Sequence, residues 1–449
     1  MGAPMTEAAT HELVGTLRAR TATGLVDEFS TLIDDGVLTL GSRLPTIRSV
    51  AESVGVSVGT VAEVWTVLRQ RGMVETRRRG GTRVVGTSRS GRFGGWADVD
   101  FLLSSPDVSL QPPLENALLK GLRQPGVNAW GREYMVPALR DAVAPDWPFP
   151  ASAWTSAGGG SEGLWLATRG AAVPGRPIAV EEPAPPGFLD LLAEWGCEVI
   201  GVPVDGQGPD PAALQHALDA GAAVFVHQPG GPYSPRHVLS EERATALIEV
   251  LRPTDAVVVE DDSLGPLSAV PVRSLGVGLP DRTVRVLSFC KSYGLDLRTS
   301  VIGGAQALVD RAIAVRSGGV ASNSRILQHA LAALLADPDA ARTVTRARER
   351  YSHRRELAQT AFEGAGLTVR SGPGSLVLWV EVRDERSAAL ALATRGIVVD
   401  TGAASYVRPP APGVLRFSTA QLPEDQLLLD ELATLVRRSV SGDLRVMFD

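Results

Sequence analysis

The chain contains one lysine whose position suits covalent chemistry. Of its 44 basic residues only Lys120 and Lys291 are lysines, and Lys291 comes directly after the apolar segment VRVLSFC. Apolar surroundings disfavour a charged amine, and the neutral amine is the nucleophile that forms a Schiff base with an aldehyde. Lys291 is therefore a candidate catalytic residue, although an ordinary surface lysine is the alternative.

The neighbours of Lys291 suit a pyridine ring that carries a phosphate. Asp261 ends the apolar segment AVVVED, where a carboxylate can stay ionised against a protonated ring nitrogen. The segment SAGGGSEGLWL is a Gly-rich turn that opens a helix, and the free N–H groups at a helix start suit a phosphate. We therefore predict a pyridoxal 5'-phosphate (PLP) site. The candidate phosphate ligands are Gly160, Ser161, Ser288 and Arg298.

Alternating strands and helices must position these residues. From about residue 98, short apolar runs such as PIAVEEP, AAVFVHQP and TSVIGG alternate with helix-length segments. This order is typical of an α/β fold whose ligands bind beyond the strand ends. We place a large domain at 98–332. A smaller α+β lobe follows at 333–449, with strands predicted at SLVLWVEV, IVVD and VLRFSTA.

The N-terminal residues predict a winged helix-turn-helix in residues 1–86. Apolar spacing predicts a first helix within 22–36, and Thr46 and Ser57 can cap two further helices around a turn at Gly55. The β-prone stretches MVETR and TRVVG then predict a hairpin, or wing. Residues 87–97, rich in Gly, Ser and Arg, predict a flexible linker.

The charge of the chain is distributed unevenly between these parts. The net charge is −6, yet residues 43–92 contain ten Arg against three Glu. Such a basic region is typical of phosphate-backbone binding, although a solvated arginine face is the alternative. The wing arginines expected beside DNA are Arg77, Arg78, Arg79 and Arg83.

The stretch RLPTIRSVAESVGVSVGTVAEVWTVLRQRGMVETRRRGGTRV resembles the winged-helix domain of the GntR family of bacterial regulators. The resemblance implies that Arg48 contacts phosphate or base. It implies the same for the first residues of the third helix, including Ser57 and Thr60, and we also expect Arg43 to contact DNA. Val58 departs from the family, because many members have an arginine there.

The large domain resembles fold-type I PLP proteins and, more narrowly, the MocR subfamily of GntR regulators. The matching stretches are VVVEDDSLGPLS, RVLSFCKSYGLDLRTSVIGG, SNSRILQHALAALL and RARERYSHRRELA. The resemblance implies that Lys291 binds PLP covalently, that Asp261 pairs with the pyridine nitrogen, and that Gln228 stands where an asparagine usually contacts the ring oxygen. It also implies that Arg416 binds an amino-acid carboxylate.

Two further departures from that family bear on cofactor affinity. Pro185 replaces an aromatic residue that often lies near the cofactor, and Ser263 replaces a tyrosine that many relatives direct at the ring oxygen. We expect these changes to weaken PLP binding.

Composition limits the remaining possibilities. Two cysteines cannot form a disulfide framework, the six histidines are not spaced as metal ligands, and no apolar run of about 18 residues exists. We expect a cytoplasmic protein that binds neither metal nor membrane.

The sequence thus predicts a homodimeric transcription regulator that binds an operator. We expect the operator to consist of paired half-sites, because a symmetric dimer repeats its DNA contacts. The expected effector is an amine, an amino acid or PLP itself, and we do not expect catalysis to be the main function. The alternatives are a regulator that has lost PLP and an active aminotransferase with a vestigial winged helix.

Overall fold

The computed structural model describes residues 10, 13–14, 16–34, 37–39, 41–70, 73–77, 81–84, 95–128, 133–235, 238–317 and 323–441. The chain divides into two compact units, Met1–Asp98 and Val99–Asp449. Most of the predicted linker at 87–97 lies outside the described residues. Within the described ranges, no helix is both long enough and apolar enough to cross a bilayer.

The described part of the first unit includes the helices α1 (Ala22–Asp34), α2 (Ile47–Val54) and α3 (Val58–Gln70). The predicted caps of α2 and α3 are confirmed. The hydroxyl of Thr46 accepts a hydrogen bond from the N–H of Ser49, and the hydroxyl of Ser57 accepts one from the N–H of Thr60. Gly55 adopts φ 74°, a left-handed conformation that suits glycine and ends α2.

A hairpin completes this unit. Strand β1 (Val74–Arg77) pairs antiparallel with β2 (Gly81–Val84), as predicted for the wing. The turn before α2 lies along β2, because the N–H of Leu44 donates to the carbonyl of Thr82. The helices and the hairpin share one apolar core, which includes Phe29, Trp65 and Met73.

The second unit contains a seven-stranded sheet in the order β3-β9-β8-β7-β6-β4-β5. Strand β9 runs antiparallel to both of its neighbours, and the other pairs are parallel. The carboxyl ends of β6, β7 and β8 therefore meet at one edge. The strands are β3 (Ala153–Ala157), β4 (Ile178–Glu182), β5 (Val199–Pro203), β6 (Val224–His227), β7 (Val257–Asp262), β8 (Thr283–Ser288) and β9 (Ser300–Gly304).

Helices surround this sheet, and apolar side chains from alternate strand positions are buried on both of its faces. The helices of this part are α4 (Glu115–Leu122), α5 (Pro137–Val143), α6 (Gly160–Ala171), α7 (Phe188–Glu194), α8 (Pro211–Asp219), α9 (Glu241–Leu251), α10 (Cys290–Tyr293), α11 (Gln306–Arg316) and α12 (Arg325–Leu335). The predicted boundary between residues 332 and 333 falls inside α12.

The C-terminal lobe contains an antiparallel sheet in the order β10-β11-β13-β12. Its strands are β10 (Val369–Arg370), β11 (Val377–Val382), β12 (Asp400–Thr401) and β13 (Gly413–Ser418), and its helices are α13 (Pro338–Gly364), α14 (Glu385–Ala393) and α15 (Gln426–Ser441). The strand predicted at IVVD was largely wrong, because residues 397–399 are not in a strand. Ile397 and Val399 are buried there, whereas Val398 is exposed.

Candidate functional sites

The N-terminal end of α3 is an exposed surface of the first unit. Ser57, Val58 and Gly59 are exposed, and Thr60 is partly buried. The hydroxyl groups of Ser57 and Thr60 lie 2.8 Å apart and hydrogen bond to each other. These hydroxyls therefore stabilise the start of the helix.

The predicted arginine contacts have different surroundings. Arg48 is exposed in the first turn of α2. Arg43 forms a β-bridge with Arg83, and its guanidinium lies over Gly81 in the hairpin. The guanidinium of Arg83 donates to the carbonyl of Gly41 at 2.9 Å, so it stabilises the turn. Arg77 ends β1, whereas Arg78 and Arg79 lie outside the described residues.

In the second unit, Lys291 lies in the short helix α10, just beyond the end of β8. Its side chain is half-buried. The ammonium donates hydrogen bonds of 3.1 Å to the carbonyl oxygens of Leu103 and Ser104. Sequence reasoning missed this contact, because it joins residues almost 190 positions apart.

Asp261 lies near the end of β7 and is 2% exposed. Burial raises the pKa of its carboxyl to about 7, with a further rise from Asp262 and Glu181, while the charge of Lys291 lowers it. No described residue donates a hydrogen bond to this carboxylate. A neighbouring cation would stabilise the ionised form of the Asp261 carboxyl, and a protonated pyridine nitrogen is such a cation.

A buried charged network flanks Asp261 and includes its two neighbours in β7 and a residue of the adjacent strand β8. The guanidinium of Arg285 in β8 contacts Asp262 at 2.6 Å and Glu260 at 3.2 Å. Although burial alone would raise it, the pKa of Glu260 is lowered by His227 and Arg285. Sequence reasoning missed this network. The signal that could have revealed it was an arginine within the apolar strand TVRVLS, together with the acidic run EDD at the end of another apolar strand.

Gln228 follows β6 and is buried. Its backbone N–H donates to Glu181 at 2.8 Å, and its Nε2 donates to the carbonyl of Pro183 at 3.0 Å. The Oε1 atom is buried without a partner, as is the hydroxyl of Ser263. One of the two Nε2 hydrogens of Gln228 is therefore engaged with Pro183. The second hydrogen could be donated to a ring oxygen.

The candidate phosphate ligands meet at the start of α6. A side chain at Gly160 would lie 3.0 Å from the Cβ of Ser288, so these two residues are adjacent. A side chain at Gly159 would lie 3.9 Å from the guanidinium carbon of Arg298. Arg298 and Ser161 are exposed, and within the described residues the Arg298 guanidinium has no hydrogen bond or ion pair.

One charge near this cradle opposes a phosphate. The carboxylate of Glu162, in the first turn of α6, accepts a hydrogen bond from the N–H of Gly158. Arg316 lies 3.5 Å from the same carboxylate and offsets part of its charge. Among the candidate phosphate ligands, Arg298 is the residue that carries a positive charge.

Arg416 in β13 is 1% exposed, and its Nη2 pairs with Asp400. Its guanidinium carbon lies 5.5 Å from the centre of the Tyr233 ring. The Nε and Nη1 atoms are buried without hydrogen-bond partners. Unsatisfied buried donors are costly, and a carboxylate would satisfy them. Sequence reasoning did not foresee Asp400.

The residues of the second unit therefore fit PLP. A glycine-lined cradle with an unpaired arginine suits the phosphate, and a buried carboxylate suits the ring nitrogen. The amine of Lys291 is electrostatically coupled to that carboxylate. The roles assigned to these residues stay predictions.

Comparisons with known proteins agree with this architecture. Residues 107–433 match the family "Aminotransferase class I and II", and residues 21–84 match "Bacterial regulatory proteins, gntR family". The vitamin B6 salvage pathway transcriptional repressor PtsJ of Salmonella typhimurium is 26% identical over 91% of this chain and 96% of its own length. The HTH-type pyridoxine biosynthesis transcriptional regulator PdxR of Corynebacterium glutamicum is 29% identical over 75% of this chain and 78% of its own length.

Among solved structures, a mutant of Thermus thermophilus aspartate aminotransferase superimposes with a TM-score of 0.65. It is 23% identical, and the match covers 75% of this chain and 95% of that chain. At this identity the likeness establishes the fold alone.

The fold and the matched segments define a helix-turn-helix regulator domain that precedes a fold-type I aminotransferase domain. The chain belongs to the class I and II aminotransferase family, within the MocR-type regulators that have this domain order. The predicted fold class and family are confirmed.

Proposed function

We propose that this protein is a DNA-binding transcription regulator whose aminotransferase domain binds PLP at Lys291 and changes DNA binding when that site is occupied. One observation carries the proposal. The buried Asp261 lies near the carboxyl end of β7, and Lys291 lies just beyond the end of the adjacent strand β8, where its charge lowers the pKa of that carboxyl. The same chain has a helix-turn-helix in which the start of α3 is exposed.

When bound, PLP supplies an electrophilic aldehyde and an electron-withdrawing ring. In our proposal, the amine of Lys291 is the group that holds the cofactor. Asp261 keeps a proton on the ring nitrogen, because a buried anion favours the protonated form of its partner. The phosphate is held by Gly160, Ser161, Ser288 and Arg298.

The effector is proposed to be a molecule with an amine. The two unpartnered donors of Arg416 suit a carboxylate on that molecule, which favours an amino acid. The names of PtsJ and PdxR favour a second candidate, because both relatives are named for vitamin B6 metabolism. In that case PLP itself is the sensed ligand, and Arg416 has no part in sensing.

The response needs only a modest bias between two states. A ligand that binds one state with about 1.4 kcal/mol more free energy than the other shifts their ratio about tenfold. We further propose a homodimer that binds paired half-sites, because a symmetric dimer repeats its DNA contacts.

The chain offers a matched pair of variants to test the proposal, because Lys120 is its only other lysine and is exposed on α4. Lys291→Ala and Lys120→Ala would be loaded with PLP, treated with borohydride and examined by absorbance and mass. We expect Lys291→Ala alone to lose the coloured, reducible adduct. DNA retardation with the protein's own upstream region would be measured with and without PLP, and only Lys291→Ala should lose the response.

Other outcomes identify the alternatives. A colourless wild-type protein that borohydride leaves unchanged, but that retards DNA, would support a regulator without PLP. Multiple-turnover transamination without any DNA retardation would support an enzyme with a vestigial winged helix.

A further inference from the structure

The exposed surface at the start of α3 contains an aliphatic side chain that is not among the described core residues of the first unit. Val58 is the first residue of α3, and 51% of its surface is exposed. Four other apolar residues of this helix, Val61, Val64, Trp65 and Leu68, are at most 2% exposed. Val58 therefore contributes little to the core.

The residues beside Val58 at the start of α3 present no other apolar side chain. The hydroxyls of Ser57 and Thr60 are engaged with each other, and Gly59 has no side chain. The exposed Arg48, in the first turn of α2, adds positive charge to the same helix-turn-helix. An apolar group within a basic surface suits a ligand that combines phosphates with an apolar contact.

The DNA major groove offers one such apolar group. Thymine alone among the four bases has a C5 methyl there, and small apolar side chains contact it. In a helix-turn-helix, the first residues of the recognition helix, which is α3 in this protein, approach the base edges. We propose that Val58 contacts a thymine methyl and makes the protein prefer thymine at one position of each half-site. This inference rests on the proposed DNA-binding function.

The probe for the test is a duplex oligonucleotide selected from a random library by the full-length protein. Each thymine of one half-site would be replaced in turn by uracil, which lacks only the methyl group. Affinity would be measured by fluorescence anisotropy at one salt concentration. Burial of one methyl group corresponds to about a fourfold change in affinity, and we expect that loss at one thymine.

Two variants make the result specific to Val58. Val58→Ser removes both exposed methyl groups and should bring the thymine-to-uracil affinity ratio at that position to about one. Thr66→Ser removes a methyl group from an exposed position further along α3 and keeps the hydroxyl that donates to Ala62. It should retain the fourfold ratio. Circular dichroism would establish that both variants are folded.

Two results would overturn the inference while leaving DNA binding intact. One is a scan in which no thymine is preferred over uracil. The other is a preference that Val58→Ser keeps unchanged. If the full-length protein enriches no duplex at all, the proposed function itself is wrong, and the inference is wrong with it.

Discussion

The Nζ atom of Lys291 lies 3.1 Å from the carbonyl oxygen of Ser104, a residue whose backbone adopts φ 53°. The segment 100–105 that provides this carbonyl is stabilised by local hydrogen bonds. The carboxylate of Asp100 accepts hydrogen bonds from the N–H groups of Leu102, Leu103 and Ser105. The same segment is tied to β13, because the N–H of Ser418 donates to the carbonyl of Phe101 at 2.9 Å.

We therefore expect Lys291→Ala to loosen this segment in the protein without PLP. Hydrogen bonds to a charged donor contribute about 1.5–3 kcal/mol each, so their loss favours local opening. Hydrogen exchange followed by mass spectrometry should show faster uptake in peptides that cover residues 102–105. Lys120→Ala is the control, and equal uptake in both variants would show that the ammonium does not hold the segment.

The pKa of Asp261 predicts a dependence of stability on pH. Its folded-state value of about 7 lies above the ordinary value of an aspartate, so the folded protein binds this proton more tightly than the unfolded chain. The resulting stability is present at low pH and is lost as the pH rises from about 4 to about 7.

Asp261→Asn should remove this dependence. Thermal unfolding of the protein without PLP, measured at pH 5, 6 and 7, should show a steeper fall for the wild type than for the variant. Parallel curves for the two proteins would mean that Asp261 does not titrate in this range.

Substitution of Arg298 should weaken the binding of PLP but not that of the same ring without a phosphate. Because its guanidinium has no partner among the described residues, Arg298→Ala should leave stability nearly unchanged. Loss of a charged hydrogen bond to the phosphate should weaken PLP binding by about 10- to 100-fold. Pyridoxal, which lacks the phosphate, is the control ligand and should bind both proteins equally. A similar loss for pyridoxal would place Arg298 outside the phosphate cradle.

Substitutions of Arg416 and of Asp400 should have opposite effects on the binding of effectors that carry a carboxylate. Arg416→Gln should abolish the preference of the PLP-loaded protein for an amino acid over the matching amine without a carboxylate. Asp400→Asn keeps the guanidinium and removes its internal anion, so carboxylate-bearing effectors should bind more tightly. Absorbance titrations with the two ligands measure both effects. If neither variant changes the preference, the case for PLP as the sensed ligand is strengthened.

Substitution of Arg48 should change the salt dependence of DNA binding. If it neutralises one phosphate, Arg48→Ala should reduce the slope of log affinity against log salt concentration by about 0.9. Arg69→Ala is the matched control, because Arg69 lies near the opposite end of α3 and donates to the carbonyl of Trp65. An unchanged slope with relaxed base preference would instead make Arg48 a base-reading residue.

Local signals in the sequence were sufficient for the elements that place the candidate site. The caps at Thr46 and Ser57 and the glycine at position 55 depend on neighbouring residues alone, so their spacing predicted α2 and α3. Asp261 and Lys291 could be found because each stands at the end of an apolar run, and strand ends are where ligands bind in α/β folds. The strand predicted at IVVD was largely wrong, since apolar spacing reports burial and does not by itself require a partner strand.

Only the tertiary structure decided which groups these side chains contact. Three contacts join positions that are 16 to 188 residues apart in the sequence. They are the hydrogen bond from Lys291 to the carbonyl of Leu103, the pairing of Arg285 with Asp262, and the pairing of Arg416 with Asp400. These contacts depend on the order of strands in each sheet and on the packing of the segment 100–105 against β13. Neither is encoded in local periodicity, because many strand orders satisfy the same alternation of apolar and polar residues.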